Sequence, residues 1–340
     1  MERTLRSLII CFSVLALMAA NAYAVSYQVT DIGTFGNAWV SGVNNHGVLA
    51  GTVGSPGGES SGFTWSSSVG LAYLSPLSGY GRSAAAGIND SGQVVGYSSL
   101  SLYPYTHRTS LWEEGEPVKD IGSFGAVGIN NVGQVVGETD NLDVVLWDDV
   151  TGMQTIITDA YAYAINDNGT VVGQHNNYSF IWTASTGMHD IDAANLVDTT
   201  AIDINNSGQV ICQQVYASVG GFAYLWQEGH ETVSLGALSE DNPIYTYARD
   251  INNLGAIVGD SGYQPFVWGS LGGIQALPLD SGLSHGVASA INDSGVIAGY
   301  AYDDQGNTHL LLWTIPEPSS LLALLAGLVG FGVVLRRRGR

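Results

Sequence analysis

The chain repeats one phrase seven times, and no other feature restricts its fold as strongly. The copies read GVNNHGVLAG from Gly42, GINDSGQVVG from Gly87, GINNVGQVVG from Gly128, AINDNGTVVG from Ala164, DINNSGQVIC from Asp203, DINNLGAIVG from Asp250 and AINDSGVIAG from Ala290. Their turn glycines (Gly47, Gly92, Gly133, Gly169, Gly208, Gly255 and Gly295) are 45, 41, 36, 39, 47 and 40 residues apart. A period near forty means one supersecondary unit copied along the chain, able to bury its apolar faces only against its neighbours.

Each unit predicts four short strands. Asn-Asn-x-Gly or Asn-Asp-x-Gly is a type I turn followed by a left-handed residue, the chemistry of a tight hairpin. The strand before it ends in Val43, Ile88, Ile129, Ile165, Ile204, Ile251 or Ile291, and the strand after it carries pairs such as Val94-Val95 and Val135-Val136. Consecutive β-branched residues imply strands covered on both faces inside a stack of sheets, not edge strands facing water. A third strand ends in Trp65, Trp112, Trp147, Trp182, Trp226, Trp268 or Trp313. Tryptophan series also serve sugar binding, but recurrence at one register in all seven units favours packing between sheets. A fourth strand follows six of these tryptophans; the seventh copy, YQVTDIGTF, stands ahead of the first hairpin, while Trp313 runs straight into the chain's tail.

That displacement predicts an all-β, seven-bladed propeller over residues 25–314. Residues 27–35 supply the outer strand missing from the last blade, so the ring closes on itself. The alternative is a β-solenoid with capped ends, which leaves the orphan strand without a reason.

The two ends read as addresses. Residues 1–24 place Arg3 and Arg6 before an apolar stretch and end in Ala22-Tyr23-Ala24, a secretory signal helix cut after Ala24. Residues 315–340 place Pro316-Glu317-Pro318 before an apolar run from Leu321 to Leu335, then Arg336, Arg337, Arg338 and Arg340. The run, counted with Ser319 and Ser320, is at the short limit for a transmembrane helix, and the arginines would hold its end in the cytoplasm. Residues 25–318 keep four basic against twenty-nine acidic side chains, a net charge of −25. Such a surface repels nucleic acid, whose binding needs clustered Lys and Arg, and favours cations or cationic partners.

The order Pro-Glu-Pro, apolar helix, arginine cluster resembles the PEP-CTERM sorting tail of Gram-negative bacteria that export polysaccharide. The resemblance implies recognition of Pro316, Glu317 and Pro318 by an exosortase-type membrane peptidase after passage through the secretion machinery. It also implies transient membrane anchoring, then release or re-anchoring at the cell surface. The repeats resemble the HAF-repeat family of extracellular bacterial proteins over about residues 27–314, with the His-Ala-Phe signature poorly kept. That resemblance strengthens the fold and implies no established activity.

Candidate chemistry is sparse. Cys11 leaves with the signal, so Cys212 is alone; it stands where other copies have glycine and reads as a buried small residue and not a nucleophile. The seven histidines occupy unrelated repeat registers, which excludes a recurring metal-ligand spacing. Calcium is the one cofactor the turns could attract, and most copies hold too few carboxylates for it. The position before the Ile/Val-Asn pair is Gly42, Gly87, Gly128, Ala164, Asp203, Asp250 and Ala290. Asp203 and Asp250 break the small-residue rule in adjacent blades. They are expected near each other at the channel, where they could hold a cation, act as an acid/base pair, or be satisfied by Arg249 or backbone N–H groups. Two functions are compatible with this: an exported, non-catalytic surface or matrix protein binding polysaccharide or another surface protein through its loops, or a secreted glycan hydrolase or lyase using channel carboxylates.

Overall fold

The computed structural model describes residues 26–54, 59–100, 107–191, 198–216, 220–239 and 245–316. Val29–Trp313 form one compact unit; the chain ends, Met1–Gln28 and Thr314–Arg340, group separately. The expected signal helix with Ala24, and the tail from Glu317 and Pro318 through Arg336, Arg337 and Arg338, lie outside the described residues.

Within the compact unit every regular element is a strand, arranged as seven four-stranded antiparallel sheets. Blade 1 runs outward through Asn37–Val43, Leu49–Gly54, Ser60–Ser66 and Gly70–Tyr73; blades 2 to 6 repeat this within residues 82–122, 125–157, 160–190, 199–234 and 246–276. Blade 7 takes Leu283–Ile291, Ile297–Asp303 and Thr308–Thr314 from the end of the chain and Gln28–Phe35 from its beginning. The ring therefore closes as the displaced strand requires, and a capped solenoid is ruled out.

The strands before the Asn turns lie inside the stack of sheets, as expected, and each is the innermost, edge strand of its own blade. Their apolar character comes from neighbouring blades covering both faces. The free edge is turned to the central channel, so it meets the axis and not bulk solvent.

The repeated asparagines do more than turn the chain. In every copy the glycine N–H donates to the first asparagine's carbonyl at 3.0–3.1 Å, and the glycines have φ between +73° and +84°. The first asparagine is buried in all seven blades. Its Oδ1 accepts the N–H four residues on at 2.8–3.0 Å. Its Nδ2 donates to the backbone carbonyl of the equivalent asparagine in the next blade: Asn44 to Asn89, then Asn130, Asn166, Asn205, Asn252, Asn292 and back to Asn44, all at 2.9–3.1 Å. Only a short amide offers an acceptor to its own turn and a donor to its neighbour together. A second ring runs beside the first. Each following residue donates its N–H to the side-chain oxygen of its counterpart one blade on, in the order Asn45, Asp90, Asn131, Asp167, Asn206, Asn253, Asp293 and back, at 2.8–2.9 Å. Here the side chain need only accept through Oδ1, and accordingly both Asn and Asp occur.

The tryptophan strands pack between blades. Trp112, Trp147, Trp226, Trp268 and Trp313 are buried, and Trp112 and Trp313 donate Nε1–H to the carbonyls of Ser75 and Pro278 at 2.7 and 2.6 Å. The seam of blade 7 carries an ionic clasp. His309 Nδ1 lies 2.6 Å from Asp31 Oδ2 on the N-terminal strand, and Nε2 lies 3.5 Å from Asp303 Oδ2. Partial burial pulls the His309 pKa down, but the hydrogen bonds and charges of Asp31 and then Asp303 outweigh it and hold the imidazole above its ordinary value.

Candidate site in the central channel

A β-bulge at one register in every blade builds the channel wall. Ser41, Ala86, Val127, Tyr163, Ile202, Arg249 and Ser289 are each skipped by the ladder between the first two strands. A bulge re-aims the side chain it carries, and all seven line a channel cavity of about 300 Å³. The bulge brings the inner strand so close to its partner that the second strand needs glycine opposite it. A Cβ at Gly96, Gly173 or Gly259 would lie 1.9 Å from the carbonyl oxygen of Ala84, Tyr161 or Tyr247. Cys212 is the exception at this register; burial pushes its thiol up to about 12, with a hydrogen bond from Ser179 opposing, so it carries no thiolate chemistry at neutral pH.

One residue beyond the bulge, Asp203 and Asp250 meet. Both are half-buried in the wall of the same cavity and are hydrogen-bonded to one another. Asp203 Oδ1 accepts Ile204 N–H at 2.8 Å, and its Oδ2 accepts Ile251 N–H of the next blade at 3.0 Å. Asp250 Oδ2 accepts Ile291 N–H, one blade further, at 2.7 Å. Burial first, then the charge of Asp250, raises the Asp203 pKa well above the carboxylate range; burial raises that of Asp250, opposed by its hydrogen bonds to Asp203 and to backbone amides. The pair thus ties blades 5, 6 and 7 together. Backbone N–H groups satisfy these carboxyls. Arg249 does not; it pairs with Asp260.

Among the described residues no group of three or more His, Cys, Asp or Glu is arranged to hold a metal ion. The ring carboxylates are engaged by neighbouring amides: Asp167 Oδ2 accepts from Asn206 and Asn131, and Asp293 Oδ2 from Asn253 and Asn45.

At the end of the inner strands away from the Asn turns, aromatic side chains recur. Trp39, Tyr161 and Tyr247 share one register near the start of their inner strands, opposite Thr52, Gln174 and Asp260, and Trp39 and Tyr161 are 41% and 42% exposed. Tyr245 stacks on Tyr247 with ring centroids 5.9 Å apart and planes 6° from parallel. The Arg249 guanidinium lies 5.7 Å from the Tyr247 centroid and 3.0 Å from Asp260 Oδ1. Tyr300 and Tyr302 of blade 7 form an edge-to-face pair at 5.7 Å. Burial raises the Tyr300 pKa, Tyr302 adds to it, and the charges of Arg249 and Asp260 act on it in opposite directions.

The register of Asp260 explains its freedom for this role. At the same position Thr52, Glu138 and Gln213 use a side-chain oxygen to accept the N–H of Ala85, Ala162 or Ala248 in the next blade, at 3.1, 2.7 and 3.3 Å. Asp260 instead holds Arg249, and burial raises its pKa against the arginine's charge.

Sequence reasoning placed Asp203 and Asp250 at the channel but did not single out Arg249 with Asp260, nor the aromatic rim. One signal was present: the mature chain has eight tryptophans, and Trp39 is the one out of register with the repeat. The long inserts at 51–62, 97–110 and 239–250, where surface contact loops are expected, each lie partly outside the described residues.

A model of the PEP-CTERM protein-sorting motif matches residues 314–338. That motif implies export, processing by an exosortase, which is a membrane protein, and sorting to the surface of a Gram-negative cell. No curated protein matches the chain. Among solved structures, virginiamycin B lyase from Staphylococcus aureus is similar with a TM-score of 0.56 at 10% identity, over 84% of this chain and 98% of that one. YCF48 bound to D1 peptide gives 0.54 at 8% identity, over 88% and 98%. The Pyrococcus horikoshii acylaminoacyl peptidase gives 0.51 at 11% identity, over 88% of this chain and 55% of that one. At such identities the likeness establishes the propeller fold and nothing about activity.

Proposed function

We propose that the protein is an exported, non-catalytic binding protein of the cell surface or extracellular matrix, with polysaccharide as the ligand class, held at the aromatic mouth of the channel. The observation that carries this reading is the recurrence of aromatic side chains at one inner-strand register, with Trp39 and Tyr161 exposed and Tyr247 beside the Tyr245 ring and the Arg249–Asp260 pair. Aromatic faces stack on the apolar faces of sugar rings, and a fixed arginine–aspartate pair supplies directional donors and acceptors beside them. The sorting tail brings this mouth to a surface where exported polysaccharide would be met.

The alternative, a glycan hydrolase or lyase using the channel carboxylates, fits the geometry less well. Glycoside hydrolysis sets two carboxyls at least about 5 Å apart on either side of the scissile bond. Asp203 and Asp250 are hydrogen-bonded directly to each other, and three backbone amides engage their oxygens. A glycan array run beside a reducing-sugar assay tests the reading. Binding without product is expected, and Trp39→Ala with Tyr247→Ala should weaken it. Release of reducing ends that disappears in Asp203→Asn would replace this reading with the enzymatic one.

A further inference from the structure

The amide of the residue before each ring asparagine has a definite orientation, and the protein itself reveals it. Ile204, Ile251 and Ile291 donate their N–H groups to the carboxyls of Asp203 and Asp250 inside the channel wall. The repeat places the amides of Val43, Ile88, Ile129 and Ile165 equivalently in blades 1 to 4, and all four residues line the same cavity. There the preceding blade presents Ala290, Gly42, Gly87 or Gly128 in place of an aspartate. A Cβ added at Gly42 would sit 3.6 Å from Ile88 N, and one at Gly87 would sit 3.6 Å from Ile129 N. Where blades 5 and 6 supply a carboxyl, blades 1 to 4 leave space beside a donor.

We infer that this arc of Val43, Ile88, Ile129 and Ile165 amides, with Arg249 in the same cavity, is a recognition site for a single carboxylate carried on a compact ligand. Successive backbone N–H groups converging on a concavity form anion sites, and the Asp203 and Asp250 carboxyls are internal examples of what these amides accept. Arg249 supplies a formal positive charge, and Asp260 and the Tyr247 face hold it in place. The cavity, about 300 Å³, is at the small end for ligand sites, so it suits one terminal group and not a polymer segment. The chain's net negative charge opposes entry. Most of that charge is distant and is screened beyond roughly 8 Å at physiological salt; Asp203 and Asp250 line the same cavity, but backbone amides engage their oxygens. Two ligands present this chemistry: the uronate end of a glycan and the C-terminal carboxylate of a peptide. The inference shares Arg249 with the binding role proposed for the aromatic mouth, and the channel amides are what tell the two sites apart.

The test is amide NMR of the exported chain titrated separately with glucuronate, glucose and N-acetylglycine. Glucuronate or N-acetylglycine should shift the Val43, Ile88, Ile129 and Ile165 amides, and whichever acts at lower concentration identifies the source; glucose should not shift them. Arg249→Gln should weaken the effect about tenfold, the weight of one charge-assisted hydrogen bond. Gly87→Asp should abolish it by placing a third internal carboxylate against Ile129 N–H. Should that variant misfold, Arg249→Gln, whose side chain is 44% exposed, carries the test alone. Absence of shifts with both carboxylates, or equal shifts with glucose, overturns the inference. A glycan-array signal with silent channel amides would sink this site and leave the mouth intact, and the converse would do the opposite.

Discussion

The bulge ring and the Asn ring lie three residues apart at the end of the same inner strands and differ in every other respect. At the first ring position all seven blades carry the same residue, joined in an unbroken circle of side-chain to backbone bonds. At the bulge the backbone geometry recurs seven times, yet the side chains are Ser, Ala, Val, Tyr, Ile, Arg and Ser. Identity recurs where one side chain must satisfy two partners in two blades. It lapses where the backbone alone makes the geometry and the side chain faces the channel. The lesson is that in a closed repeat the repeated residues are the scaffold, and the departures from the repeat are where a ligand can be told apart.

The sharpest way to break this contrast is at the first ring. Asn130 is buried and donates to Asn166 O and Gln134 Oε1 while accepting from Gln134 N. Asn130→Ala strips these bonds and should cost about 2–4 kcal/mol, read as a lower urea midpoint, because buried partners are left unsatisfied. Asn130→Asp should also destabilise, since the carboxylate lacks the inter-blade donor, whereas Asp90→Asn in the second ring should be nearly neutral.

Smaller effects come from the blades that depart from the repeat. The Asp203 and Asp250 pKa values are raised on folding, so the folded chain binds protons more tightly than the unfolded one. Their contribution is complete below the ordinary carboxylate pKa of about 4 and is lost as pH rises through the folded values. Asp203→Asn keeps a neutral donor toward Asp250. It should flatten the fall in melting temperature above about pH 5 relative to wild type; an unchanged slope would mean the pair is not the source.

At the seam the sign of the pH effect is the same, but the window lies higher. The raised His309 pKa means its clasp on Asp31 and Asp303 is fully present below the ordinary imidazole value of about 6.5 and fades as pH rises through the folded value. His309→Gln should therefore lower the melting temperature at pH 5.5 more than at pH 8.5. The smallest change belongs to the bulge ring. Ser289→Ala should move stability by no more than about 0.5 kcal/mol, because its side chain lines the channel cavity and the bulge survives it. A loss as large as that at Asn130 would erase the distinction between scaffold and site.

How much was legible follows the same division. Blade number, strand order and closure could be read from seven glycine turns, seven tryptophans and one displaced strand. Each is a local signal multiplied by repetition, and only one ring satisfies all of them. The proximity of Asp203 and Asp250 could also be read, because equivalent positions in adjacent repeats are neighbours in a closed ring. Arg249 with Asp260 and the aromatic side chains around them could not. Their partners sit on different strands at registers set by a bulge, and a bulge leaves no residue signature when the skipped position is filled by Ser, Val or Arg alike.

Local chemistry written into the chain settled the turn, the strand alternation and the circular closure, since hydrogen-bond stoichiometry at one asparagine repeated seven times admits few alternatives. Folding in three dimensions alone settled which side chains meet across blades and which amides are left facing the axis. The physical reason is that a one-residue slip in a ladder moves a side chain from packing to channel, and no composition or period records that slip.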